Sequence, residues 1–282
     1  MLVESFAVMK KYLPAITLKG ENIYFDDMLL IAQGELVESV LGHELFAKLE
    51  KKLEEDQNLL SMCQRIISLG AFIKAIPEMD LVLTESGFAV HNSEKMAPAS
   101  KTRVEALIKS VKERLDNSID SLITFLLSST VYIDWRESEQ FDNISSGFIC
   151  TYSEFRKYAQ SSPVYSDRYP KSYQDFAKLY PNLSTALMVQ IAPYLSREYC
   201  YELIEKFKDK EVFSMQEKQA LNLIKYSLAA FVMGDGATGN NYLFNCLRYI
   251  RENISHFPTF ATSAEAQALD ISHSDTPIFS ML

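Results

Sequence analysis

Gly234, Gly236 and Gly239 spell G-x-G-x-x-G, the loop that in dinucleotide-binding folds follows a strand, opens a helix and turns its backbone amides toward a pyrophosphate. Here the preceding stretch, LNLIKYSLAAFVM, carries a helical period, no βαβ pattern surrounds it, and no Lys-Ser/Thr follows. The motif therefore reads as a helix C-cap and connector, where glycine supplies positive φ. The four histidines, His43, His91, His256 and His273, never stand four apart on one helix face. His43-Glu44 lacks the second histidine of H-E-x-x-H, so a surface or capping role is expected. Cys63, Cys150, Cys200 and Cys246 form no C-x-x-C, and the helical patterns around Cys63, Cys200 and Cys246 predict buried free thiols. There is no G-x-S-x-G. Glu137, Glu139 and Asp142 lie near the sole tryptophan, Trp135. A carboxylate pair beside an aromatic is the equipment of glycoside hydrolysis, and a solvated acidic loop is its ordinary alternative. No catalytic, cofactor-binding or metal-ligating residue is assigned, no cofactor is expected, and the chain is read as not an enzyme.

The side chains suited to contact are more numerous than those suited to catalysis. Residues 152–180 hold Tyr152, Phe155, Tyr158, Tyr165, Tyr169, Tyr173, Phe176 and Tyr180, with Pro163 and Pro170 dividing the stretch. Tyrosine buries area while keeping a polar tip, which suits an interface. Tyr165, Tyr169 and Tyr173 are candidate protein-contact residues, the alternative being a connector packed on its own domain. The segment after Phe257 reads as an apolar, poorly periodic arm that docks on its own core or on a neighbour, with Phe260, Ile278 and Phe279 as candidate contacts.

These residues are positioned by helices. Nine glycines and nine prolines in 282 residues leave few tight turns, and 48% hydrophobic with 23% charged residues is a globular composition. Val104, Ile108, Val111, Leu115, Ile119, Leu122 and Leu126 recur at steps of three and four and predict one long helix over 101–128. Shorter helices are predicted over 1–13, from Asp26 or Asp27 to Gly42, from His43 to about 56, and over 59–76 before Pro77. Others run from Asn182 or Ser184 to Pro193, from the cap Ser196, from the Ser214–Glu217 capping box, and over 241–254. Residues 80–100 read as a short hairpin or extended arm, and 129–150 as irregular. The fold class is all-α: a multi-helix bundle with minor extended arms.

An internal repeat is visible. Residues 29–53 align without a gap on 183–207, placing Leu29 on Leu183, Ala32 on Ala186, Val37 on Ile191, Leu41 on Leu195, Glu44 on Glu198, Leu49 on Leu203 and Lys52 on Lys206. With one residue of slippage, Asp80 falls on Asp235. Amphipathic helices share a period, so apolar matches alone arise cheaply. A true repeat would divide the chain near residue 150 into helical halves, 1–150 and 151–282, the alternative being one compact helical unit. The net charge of −9 with scattered Lys and Arg disfavours nucleic-acid reading. The N-terminus does not read as a signal peptide, and no apolar run approaches the roughly 18 residues of a membrane helix. A cytoplasmic location, or a place in a virion, is expected.

Three segments together resemble a known group. They are LTESGF at 83–88 followed by KMAPASKTRVEALIKSVKERLDNSIDSLITFL, the helical pair repeated in the second half, and the ending FPTF…SDTPIFSML. They resemble an uncharacterised family of Bacteroides-type phages and prophages, some of whose members are virion structural proteins similar in role to head–tail connectors or adaptors. The resemblance implies a structural assembly protein, possessing no established catalytic residues, whose partners are copies of itself and neighbouring virion proteins. A reading of another class is a helical small-molecule binder or enzyme with a pocket between its halves. A third is a cytosolic interaction scaffold.

Overall fold

The computed structural model describes residues 1–13, 25–51, 53–78, 81–84, 87–90, 100–164 and 169–271. The fold is all-α, with one antiparallel hairpin of strands β1 (Leu81–Thr84) and β2 (Gly87–Val90), in which Leu81 pairs with Val90 and Thr84 with Gly87. The chain divides into two compact units, Met1–Gln140 and Phe141–Leu282. The division falls in the first turn of a helix, Glu139–Ser145, in the stretch expected to be irregular. That stretch also forms a 3-10 turn at Ile133–Glu137.

In the first unit, α1 (Phe6–Lys10) is capped by Ser5, whose side chain accepts from the Val8 amide. α2 (Phe25–Leu36) runs into a π-helical turn, Val37–Leu41, which ends at Gly42 with φ 73°. α3 (Gly42–Leu49) follows, then α4 (Gln57–Ala75), the hairpin, and α5 (Lys101–Ser128). α4 is the centre of the unit: it packs on α1, α2 and α5 and buries Leu59, Cys63, Ile66, Ile67, Leu69 and Phe72. Gly70 lets α2 come close, since a Cβ there would stand 3.3 Å from that of Ala32. The predicted stripe of α5 is fully buried only in part. Val111, Ile119, Leu122 and Leu126 are core, whereas Val104, Ile108 and Leu115 are half-buried. Each fully buried Leu or Ile contributes about 1.5–3 kcal/mol, so the later turns of α5 anchor it.

The second unit begins with α6 (Glu139–Ser145), shared across the division, and α7 (Tyr152–Ala159). It continues with α8 (Tyr173–Ala177), α9 (Tyr180–Ala186), a π-helical turn at Leu187–Ile191, α10 (Ala192–Leu195) and α11 (Arg197–Lys208). Two long helices follow, α12 (Met215–Val232) and α13 (Gly236–Glu252). α13 starts inside the glycine motif rather than at 241, because Asp235 caps it. The segment after Phe257, expected to be a poorly periodic docking arm, forms α14 (Pro258–Ala261) and α15 (Ala264–Ile271).

The two units repeat one layout. α7 is capped by Thr151 as α1 is by Ser5. The hydroxyl of Tyr12 donates to Gln64 Oε1 on α4 at 3.2 Å, and that of Tyr158 donates to Asn222 Oδ1 on α12 at 3.1 Å. α12 packs on α7, α9 and α13, as α4 packs on α1, α2 and α5. Ser196, aligned with Gly42, also has positive φ, 70°. Tyr132 and Trp135 after α5 are matched by Phe257 and Phe260 after α13, all four buried. The Ser138 amide donates to the Trp135 carbonyl at 3.1 Å and the Ser263 amide to the Phe260 carbonyl at 3.0 Å. The units differ in one detail of register: the π turn meets Gly42 directly in the first and precedes Ser196 by the extra turn α10 in the second.

Candidate functional site

A cleft of about 510 Å³ lies within the first unit, between α3 with the turn after it and the turn that follows α5. Its apolar wall is Leu45, Tyr132 and Trp135; its rims carry His43, Glu44, Lys48 and Lys51 on one side and Asp134, Glu137 and Glu139 on the other. The floor is fixed from behind. Trp135 Nε1 donates to the Val40 carbonyl at 2.6 Å, tying the post-α5 turn to the π turn. The Tyr132 hydroxyl donates to Asp56 Oδ1 at 2.9 Å inside the unit. Burial, followed by that hydrogen bond, pushes the Tyr132 pKa up to about 12. The Lys48 ammonium sits 5.1 Å over the Tyr132 ring, a cation–π contact at the cleft wall. His43 Nε2 stands 3.3 Å from Glu38 Oε1, both side chains mostly exposed. Val131, which is part of the cleft lining, is 62% exposed, and Ile133 is 56% exposed.

The acidic trio expected near Trp135 is not a unit. Glu137 and Glu139 line the cleft, whereas the Asp142 carboxylate pairs with Lys208 at 2.7 Å in the second unit. No group of three or more His, Cys, Asp or Glu among the described residues could hold a metal ion. His91 and His273 lie outside the described residues. All four cysteines are free and buried. Burial pushes the thiols of Cys63 and Cys246 well above the ordinary range and that of Cys200 to about 12, so these three are protonated, unreactive core groups at neutral pH.

The glycine motif is structural. Gly234 has φ 81°, ending α12. The Asp235 carboxylate accepts from the Thr238 amide at 3.1 Å and from the Ser162 hydroxyl at 2.8 Å. Burial alone would raise the Asp235 pKa, but those donors hold it below its ordinary value. A Cβ at Gly239 would stand 2.6 Å from the Phe231 ring, so the third glycine is needed for close packing of α13 on α12.

The tyrosine-rich stretch is mostly interior. Tyr173 is 2% exposed and packs edge-on against Phe176. Tyr152 and Phe155 flank Tyr169 at 5.9 and 6.2 Å between ring centroids. The hydroxyls of Tyr152 and Tyr180 donate to the carbonyls of Pro170 and Cys150. Tyr173 and Phe260, expected at a contact surface, are thus core residues, with Phe260 fully buried against Tyr199. Their rings are occupied by their own unit and offer no contact area. Tyr169 is half-buried at the edge of a shallow 300 Å³ depression with Pro170, Lys171, Asp175 and Leu179. Tyr165, Ile278 and Phe279 lie outside the described residues.

Sequence reasoning missed the cleft because its parts are far apart in the chain and individually ordinary. One signal was present: the turn holding Tyr132 and Trp135, polar and aromatic by turns, follows the longest helix in the sequence. A family model described as a family of unknown function (DUF6712) matches residues 22–144. The match includes both walls of the cleft and ends at residue 144, so all but its last few residues lie in the first unit. No curated protein and no solved structure matches the chain. No helix among the described residues is long and apolar enough to cross a membrane.

Proposed function

We propose that the chain is a non-enzymatic structural subunit that acts by assembling with copies of itself and with neighbouring virion proteins, as a component of a phage or prophage head–tail connector or adaptor. The observation that carries this reading is the placement of large apolar side chains in solvent on a rigid helical frame. Val131, in the cleft lining, and Ile133 are exposed in the first unit, and Val189, Tyr194 and Tyr201 are 65%, 40% and 55% exposed in the second. Exposed apolar side chains are the material from which contact surfaces are built. The groups with shifted pKa values support the same reading, because they are engaged in holding the frame. Glu217 closes the capping box with Ser214 and pairs with Lys206, Lys225 pairs with Glu154, and Asp235 caps α13. The resemblance of the LTESGF and FPTF…SDTPIFSML segments to virion structural proteins supplies the setting.

Co-expression with the products of adjacent genes, followed by light scattering and electron microscopy, tests the proposal. A mixed complex of defined mass is expected. A chain that joins none of them, while a small molecule raises its melting temperature, would favour the second reading, a ligand-binding protein. That reading draws on the cleft itself, whose 510 Å³ falls in the roughly 300–1,000 Å³ range of small-molecule sites. Its charged rims and open form suit a protein side chain better.

A further inference from the structure

The internal repeat shows what fills the cleft when the fold supplies its own occupant. Leu45 in α3 aligns with Tyr199 in α11. In the second unit the Tyr199 ring is 2% exposed and packs at 6.0 Å edge-on against Phe257 and at 6.2 Å against Phe260. Those two rings are the counterparts of Tyr132 and Trp135. In the first unit leucine stands in place of the tyrosine, and Leu45 lines the cleft together with Tyr132 and Trp135. The chemistry that completes this site is therefore an aromatic side chain.

The two faces also differ in charge. Lys48 on α3 and Lys51 in the turn after it align with Glu202 and Glu205 on α11, and Ala47 with Tyr201. Tyr201 is 55% exposed, with exposed Arg197 one turn before it and exposed Glu205 one turn after. Arg197 and Glu205 lie about 12 Å apart along the helix. The cleft presents the opposite arrangement, Lys48 and Lys51 on one rim and Asp134, Glu137 and Glu139 on the other.

We infer that the cleft receives Tyr201 from a second copy of this chain, with Glu205 of that copy against the lysine rim and Arg197 against the carboxylate rim. The contact joins unlike surfaces, so it is heterologous and propagates from copy to copy into a closed ring or an open filament. The inference rests on the structural-subunit reading and names the surfaces it uses.

The test is sedimentation of the full chain over a range of concentration and salt, with two variants. Tyr201→Ser removes an exposed knob and leaves the core untouched. Leu45→Tyr plugs the cleft as Tyr199 does in the second unit. Wild-type protein should associate beyond dimers, more weakly at high salt. Each variant alone should bind itself at least tenfold more weakly. An equimolar mixture should form a dimer and nothing larger, because one partner retains only its cleft and the other only its knob. If Leu45→Tyr fails to fold, Lys48→Glu takes its place, with recovery expected on adding Glu205→Lys. Wild-type protein that stays monomeric at high concentration, or association that neither variant changes, would overturn the interface. A Tyr201→Ser chain that still enters the complex with adjacent gene products while its self-association is unaltered would sink this interface and leave the structural reading standing.

Discussion

Gly42 has φ 73° and ψ 161°, and its counterpart Ser196 has φ 70° and ψ 142°. Glycine takes this conformation freely, whereas serine meets strain and offsets it locally. Ser196 Oγ accepts from the Tyr199 amide at 3.2 Å and donates to Glu198 Oε2 at 3.1 Å. At Gly42 no such compensation is available, and a Cβ would stand 2.7 Å from Gln140 Oε1. Gly42→Ala should therefore destabilise the first unit by about 1–3 kcal/mol, read as a lower urea midpoint. Trp135→Phe keeps most of the ring but removes its hydrogen bond to the Val40 carbonyl. A loss of about 1–3 kcal/mol is expected, with the cleft wall loosened. Sequence patterns made several single residues legible. The Ser214–Glu217 capping box and the Ser196 cap stand as their local spacing implies, because a cap is decided within four residues. The burial of Tyr173 and Phe260 was not legible, since aromatic residues suit cores and interfaces equally and only tertiary packing chooses between them.

At the scale of elements, the capping box of α12 is also one end of an ion pair. Glu217 receives the Ser214 amide at 2.6 Å and the Lys206 ammonium at 2.8 Å. Burial would raise the carboxyl, but Lys206 and Ser214 outweigh it and hold the pKa below its ordinary 4.5. A depressed carboxylate stabilises the fold fully above 4.5 and loses that contribution as pH falls through the folded value. Glu217→Gln preserves the box geometry and removes the charge. Its melting temperature should lie below wild type at neutral pH and converge with it in acid. Ser214→Ala should cost about 1 kcal/mol at neutral pH, read as a lower urea midpoint. The long helix at 101–128 was legible because its apolar period, from Val104 to Leu126, runs unbroken for about six turns. The π turns were not, since an i→i+5 step leaves no mark in an apolar pattern read at 3.6 residues. Nor was the helix after Phe257 legible, where Pro258 opens a short turn and α15 is too brief for its period to be read.

At the scale of the molecule, two copies of one layout predict parallel responses. Tyr12→Phe and Tyr158→Phe each delete one hydroxyl–amide bond to the central helix of their own unit. Each should cost about 0.5–1.5 kcal/mol, and the two effects should add, since distant sites without shared partners are independent. The repeat was visible in sequence as the alignment of 29–53 on 183–207, but only the structure separates it from the common period of amphipathic helices. The decisive matches, the paired tyrosine–amide bonds and the paired aromatic turns, involve residues of different type. Asn222 replaces Gln64, and Phe257 and Phe260 replace Tyr132 and Trp135, so identity was lost while geometry was kept.

The distribution of thiols turns the burial of the cysteines into a reporter. Cys63 is in the first unit, and Cys150, Cys200 and Cys246 are in the second, all shielded from solvent. A thiol-reactive dye has no target in the folded chain, so each labelling event records an opening. One equivalent of dye counts the first unit and three count the second. Labelling rates followed by mass spectrometry would time the opening of each repeat separately in a single untagged protein, without any engineered probe.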